Sequence, residues 1–267
     1  SAAYYNHGNV LKKLAKFQEA KNSYQKAIQI QPNHAAAHNN LGLIFHELGE
    51  FKEAKNSYQK AIQIQPNLDA AHNNLGLVFE KLKEHQKAMN SYQKAIEINP
   101  NYSAAYYNHG NVLKKLAKFQ EAKNSYQKTI QIQPNHAAAH NNLGLIFLEL
   151  GEFQKAKNSC QKAIEIQPNY LDAYNNLGIS LQELGEYQKA IISCQKAIEI
   201  QPNYAASYNN LGNLFKELGN FEKAKQLLQK AIEIQPNYAA AHNNLGNVFK
   251  ILNDHQKAVD CYERAIQ

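Results

Sequence analysis

The residues best placed to do chemistry in this chain are asparagines. Asn6, Asn40, Asn74, Asn108, Asn142, Asn176, Asn210 and Asn244 stand 34 residues apart. A carboxamide carries two N–H donors and a carbonyl with two lone pairs, so it can bond the N–H and C=O groups of a peptide whatever the peptide's side chains. A regular row of them predicts sequence-tolerant capture of extended polypeptide. Asn9, Asn111, Asn213 and Asn247, with Tyr5 and Tyr107, fall in phase beside the row and extend the candidate binding surface. The plain alternative is a solvated helix face. Against it, asparagine is a mediocre helix former, and Glu, Lys or Gln would suit an idle exposed position better.

Other chemistry is thin. No Gly-rich phosphate loop or nucleophile elbow occurs, and Asp69, Asp172, Asp254 and Asp260 are the only aspartates, so no enzyme activity is expected. His34 with His38, and His136 with His140, have the i, i+4 spacing of a metal pair but no third ligand nearby in sequence; no metal and no cofactor are predicted. Cys160 and Cys194 occupy one phase of adjacent units, about 10 Å apart if helices pack normally, which is beyond disulfide reach. They read as small core residues. Lys and Arg total 29 against 22 Asp and Glu, a dispersed net charge of +7 that admits acidic partners without demanding nucleic acid. No apolar run approaches transmembrane length and no targeting segment is visible, which predicts a soluble, cytoplasmic chain with no membrane partner. The chain starts in repeat phase at Ser1 and ends inside a helical pattern, so it is expected to be part of a longer parent, whose compartment stays open.

The elements that must position these side chains follow from the same period. All seven prolines, from Pro32 to Pro236, are 34 residues apart, and eight glycines from Gly8 to Gly246 keep the beat. A fixed period of this size marks a stacked-repeat array, in which each unit buries its apolar stripe only against its neighbours. The predicted units are 1–34, 35–68, 69–102, 103–136, 137–170, 171–204, 205–238 and a truncated 239–267, forming one domain over 1–267. Residue numbers of the first unit double as repeat positions 1 to 34. Positions 4, 7, 8, 11 and 14 give a first helical stripe, helix A, and positions 17, 20, 24, 27 and 28 a second, helix B. In five of the eight units position 15 is Gly49, Gly151, Gly185, Gly219 or Asn253, suited to the left-handed conformation that ends a helix. After helix B, Asn33 and its six copies stand where an N-cap would serve the next helix. Glycine inside a helix costs roughly 1 kcal/mol against alanine. Alanine at position 20 in every unit suggests that the pair lets helices A and B approach closely.

Aromatic or His at position 4, Leu at 7, Gly at 8, Ala at 20, Tyr at 24, Ala at 27 and Pro at 32 resemble the tetratricopeptide repeat over all 267 residues. The resemblance implies an all-α solenoid, a right-handed superhelix of about 16 antiparallel helices whose helices A line a concave groove. Asn6 and its copies lie opposite the helix A stripe and so fall in that groove. Units about 10 Å apart would present one amide to roughly every third residue of an extended chain. Chaperone-binding members clamp a terminal carboxylate with basic residues at positions 2, 5 and 6; here these are Ala, Asn or Tyr, and Asp172, which disfavours that ligand. The asparagine row is similar to the repeat arm of O-linked N-acetylglucosamine transferases. The function implied is a scaffold binding extended peptide; the alternative is the substrate-recruiting arm of a glycosyl- or sulfo-transferase encoded elsewhere. RNA is disfavoured as a ligand, because the related RNA-reading repeat runs at 35 residues. Helix B carries Lys26, Lys60, Lys94, Lys128, Lys162, Lys196, Lys230 and Arg264 on a face read as solvated. Residues 1–45 and 103–147 differ only at Ala27 and Thr129, so the first unit should accept a preceding unit as the fourth does, and head-to-tail self-association is expected.

Overall fold

A computed structural model describes residues 1–266, and among them every regular element is a helix. One compact unit, Ser1–Pro134, holds α1 (Ala2–Lys13), α2 (Phe17–Ile30), α3 (Ala35–Glu47), α4 (Phe51–Ile64), α5 (Asp69–Lys81), α6 (His85–Ile98), α7 (Ser103–Lys115) and α8 (Phe119–Ile132). A second, Asn135–Gln267, holds α9 (Ala137–Glu149), α10 (Phe153–Ile166), α11 (Leu171–Glu183), α12 (Tyr187–Ile200), α13 (Ala205–Glu217), α14 (Phe221–Ile234), α15 (Ala239–Ile251) and α16 (His255–Ile266). Odd-numbered helices are helices A and even-numbered ones helices B, as the 34-residue period requires.

Each A–B turn is closed the same way. Lys16 N–H donates to Leu11 C=O at 2.9 Å and Ala15 N–H to Lys12 C=O at 3.1 Å, the paired bonds that satisfy carbonyls at a helix end when the next residue is left-handed. Gly49 has φ of 75° and Asn253 of 61°, as the sequence suggests. Ala15, Lys83 and Ala117 adopt φ of 56°, 59° and 56° at the same position. These side-chain-bearing residues are held in a region that disfavours them by roughly 1–2 kcal/mol.

The B–A junction corrects the expected capping. His34 N–H donates to Gln31 C=O at 3.2 Å, so Pro32 and Asn33 are the two central residues of a β-turn. Proline presets φ for the first of these. The N-cap falls one residue later, at His34, whose Nδ1 accepts from Ala37 N–H. In five of the copies, Leu68, Tyr102, Tyr170, Tyr204 and Tyr238, the cap side chain makes no such bond.

The helix A stripe is also rotated from the sequence reading. From the second hairpin onward positions 3 and 10 are sealed, Ala37 and Ile44 among them, whereas Leu48 at position 14 is exposed and His38 at position 4 is half-buried. The shift arises because helix A packs on two neighbours, its own helix B and the preceding hairpin. The glycine at position 8 answers to position 24 more than to Ala20. A Cβ on Gly110 would sit 2.8 Å from Cε1 of Tyr126, and one on Gly144 2.5 Å from Sγ of Cys160. In the first unit the core runs through Leu11, Tyr24, Ile44, Tyr58, Val78 and Tyr92. In the second it runs through Cys160, Leu177, Cys194, Leu214, Leu228 and Val248.

Candidate functional site

Positions 5 and 6 of helix A carry the asparagines that matter, and the geometry assigns them different roles. Position 6 is half-buried at Asn40, Asn74, Asn108, Asn176, Asn210 and Asn244, buried at Asn142 and exposed at Asn6. Position 5 lies deeper: Asn39, Asn73, Asn141, Asn175 and Asn209 are buried.

Within each unit the carboxamides bond across hairpins. In the first, Asn74 Nδ2 donates to Asn39 Oδ1 at 3.3 Å and Asn108 Nδ2 to Asn73 Oδ1 at 3.0 Å. In the second, Asn176 Nδ2 donates to Asn141 Oδ1 at 3.0 Å and Asn244 Nδ2 to Asn209 Oδ1 at 2.9 Å. These amides are therefore partly committed to bonds within the chain. Each rung ties helix A to the helix A before it, and the buried position-5 oxygen receives its donor from position 6. One rung is open: Asn175 is 5% exposed and neither of its amide atoms has a partner. Sequence reasoning took position 5 into the groove through Tyr5 and Tyr107 and missed its asparagines, although the adjacent Asn-Asn pairs from Asn39-Asn40 to Asn243-Asn244 were their signal.

Position 9 has a structural task too. Tyr24 Oη donates to Asn9 Oδ1 at 2.8 Å, Tyr126 Oη to Asn111 Oδ1 at 2.9 Å and Tyr262 Oη to Asn247 Oδ1 at 2.9 Å. A buried phenol needs an acceptor, and burial raises the Tyr24 hydroxyl to about 12. Where position 9 is Leu77, Tyr92 turns instead to Glu80 Oε1 at 2.7 Å. Asn213 accepts from Lys216 at 2.6 Å, its position-24 partner being Leu228. Tyr5 is half-buried, stacks on His34 with ring centroids 4.7 Å apart, and its Oη accepts from Asn40 Nδ2 at 3.3 Å. Asn40 also donates to Asn9 Oδ1 at 2.9 Å. Tyr107 is likewise half-buried, 6.0 Å from Tyr126.

The remaining candidates make contacts within the chain. His38 Nε2 meets Pro32 C=O at 2.9 Å, and no group of three metal-ligating side chains gathers among the described residues. Burial raises the thiols of Cys160 and Cys194 to about 12, so both stay protonated core residues. Lys94, Lys162, Lys196 and Lys230 pair with glutamates one helical turn on, at 2.8–3.0 Å, on exposed surface. No helix of the described residues is long and apolar enough to cross a membrane.

Comparison with known proteins agrees with the repeated helical hairpins. Tetratricopeptide repeat models match residues 70–102, 91–124, 137–170, 169–237 and 239–267, and a TPR repeat model matches 8–49, 42–83 and 110–151. A search of curated proteins finds no match. Among solved structures, YrrB, described as a TPR protein with an unusual peptide-binding site, is 27% identical, covers 70% of this chain and 96% of its own, and superposes with a TM-score of 0.60. MamA is 27% identical over 60% of this chain and 94% of its own, with a TM-score of 0.57. A tetratricopeptide repeat protein from Parabacteroides merdae, 19% identical over 93% of this chain and 98% of its own with a TM-score of 0.64, shares the fold. The repeat-phased glycines and prolines, the hairpins they punctuate and these matches together place the chain in the tetratricopeptide repeat family.

Proposed function

We propose that this protein is an interaction scaffold that binds extended polypeptide along the carboxamides at position 6. The observation that carries the reading is the cross-hairpin rung, which fixes the amides of Asn74, Asn108, Asn176 and Asn244 in one orientation before a ligand arrives. A carboxamide has two N–H donors and two lone pairs, so an asparagine committed to one rung bond keeps capacity for a peptide N–H or C=O. Preorganised groups lose little entropy on binding. The surrounding Ala36, Ala70 and Ala138 at position 2 leave room for a ligand backbone. Such a scaffold could act alone or recruit substrates for a transferase, and the backbone-directed contacts are the same in both settings.

The test is titration of a fluorescent, unstructured polypeptide against the wild type and a variant with Asn40, Asn74 and Asn108 changed to Ala, below the melting temperature of both. A lost amide contact costs about 0.5–1.5 kcal/mol, so three should weaken binding by about 10-fold or more. Replacing Lys94 and Lys128 on helix B should leave affinity unchanged. Equal affinity of wild type and triple variant would overturn the reading.

A further inference from the structure

Resting on the peptide-binding reading above, we propose that the extended polypeptide lying along α5 and α7 is acidic, with its carboxylates on Lys81, Lys114 and Lys115. Positions 12 and 13 come seven residues after positions 5 and 6, just short of two turns, and so return to the same face of helix A. Two contacts from α7 to α5 bear this out. Asn108 Nδ2 donates to Asn73 Oδ1 at 3.0 Å, and seven residues further along both helices Lys115 Nζ donates to Glu80 Oε2 at 2.6 Å. The lysines therefore continue the line of the asparagine rung.

The local balance of charge on this stretch is positive. Glu80 is 14% exposed and its other oxygen accepts from Tyr92 Oη, so it turns little charge outward, whereas Lys115 keeps half its side chain exposed. Lys114 is half-buried beside it. Lys81, at position 13 of α5, is exposed, and the residue of α3 that corresponds to Glu80 is His46, not a carboxylate. Glu47 holds position 13 in α3, so the basic stretch starts at α5.

The second unit lacks this feature. The first and last hairpins apart, residues 35–134 carry 12 lysines and eight acidic residues, whereas residues 135–238 carry nine and ten. On helices A the difference is sharper: in α9, α11 and α13 position 13 is Glu149, Glu183 and Glu217, and the one lysine at position 12, Lys216, bonds Asn213. The rungs themselves are alike, since Asn176 bonds Asn141 as Asn108 bonds Asn73. Backbone capture is thus available to both units, and a preference for acidic side chains only to the first. An acidic polypeptide fits better than a nucleic acid, because the one arginine, Arg264, lies on α16, and the lysines share their face with carboxamides suited to a peptide backbone.

Fluorescence polarisation with three labelled peptides tests the proposal, each an unstructured Gly-Ser chain bearing glutamate, glutamine or lysine at every third position. Wild type should bind the glutamate peptide about ten-fold tighter than the glutamine peptide and the lysine peptide most weakly, the differences shrinking as salt rises. K81E with K114E should invert that order. K81E alone, at an exposed site that should leave helicity by circular dichroism unchanged, should cut the glutamate preference about three-fold. Equal affinity of wild type for the three peptides, or a preference that the double variant leaves intact, would overturn the charge preference and leave backbone capture standing. Failure of all three to bind would overturn both, and tighter binding of a single-stranded oligonucleotide than of the glutamate peptide would overturn the choice of ligand.

Discussion

Removing one rung amide decides whether the asparagines hold the scaffold together. Asn108 Nδ2 donates to Asn73 Oδ1 at 3.0 Å, and Asn73 is 4% exposed. Asn108→Ala loses a hydrogen bond worth about 1 kcal/mol and leaves a buried acceptor short of its donor, together about 1–3 kcal/mol. Against this, alanine gains up to about 0.7 kcal/mol in helix propensity. Burial wins, and the variant should be destabilised by roughly 1–2 kcal/mol, although propensity alone predicts the opposite sign. Asn73→Ala with Asn108→Ala removes donor and acceptor together and should cost less than the sum of the singles, by about 1 kcal/mol of coupling. The assay is urea unfolding of all four proteins, followed by circular dichroism and by hydrogen exchange at α5 and α7, since long repeat arrays depart from two-state behaviour. A single variant as stable as wild type, or additive losses in the double, would refute the reasoning.

Further outcomes follow from the turns and two half-buried histidines. Ala117→Gly should stabilise by about 1 kcal/mol, because glycine relieves the left-handed φ of 56°. Gly151→Ala should do the reverse: its added Cβ meets nothing within 4 Å, so only the φ of 71° acts, and thermal melts of the pair check both signs. Burial holds the His109 imidazole below its ordinary 6.5, and His136 shifts the same way. The unfolded chain therefore binds these protons first, so their contribution is complete above pH 6.5 and is lost as pH falls through the depressed folded values, by at most about 1.4 kcal/mol per pH unit per histidine. Melts between pH 7.5 and 5 should show the fall. H109L, which installs the leucine found at position 7 in Leu41 and Leu75, should flatten it.

What was legible in the sequence is the punctuation. Pro32 and its copies, the position-15 glycines and the helical stripes located the hairpins, because backbone geometry is set by the residue that occupies each turn. Contacts between units were harder to read. The asparagine at position 6 looks exposed when one helix is drawn alone, yet Asn74 reaches Asn39 because the preceding hairpin brings a second helix A alongside. Ala20 looked like the partner of Gly8, but a Cβ on Gly8 would lie 2.7 Å from Cε1 of Tyr24, a side chain one turn further along helix B. The pairing of Asn9 with Tyr24 was open to reading from residue type, since a core tyrosine needs an acceptor for its hydroxyl.

The central claim, that position-6 carboxamides contact an extended backbone, is tested most directly by NMR of the asparagine side-chain NH2 groups during titration with an unstructured peptide. The signals of Asn74 and Asn108 should shift together and saturate at one affinity, while the backbone amides of Lys94 and Lys128 on helix B stay in place. Saturable binding that leaves those NH2 signals unmoved would contradict the account.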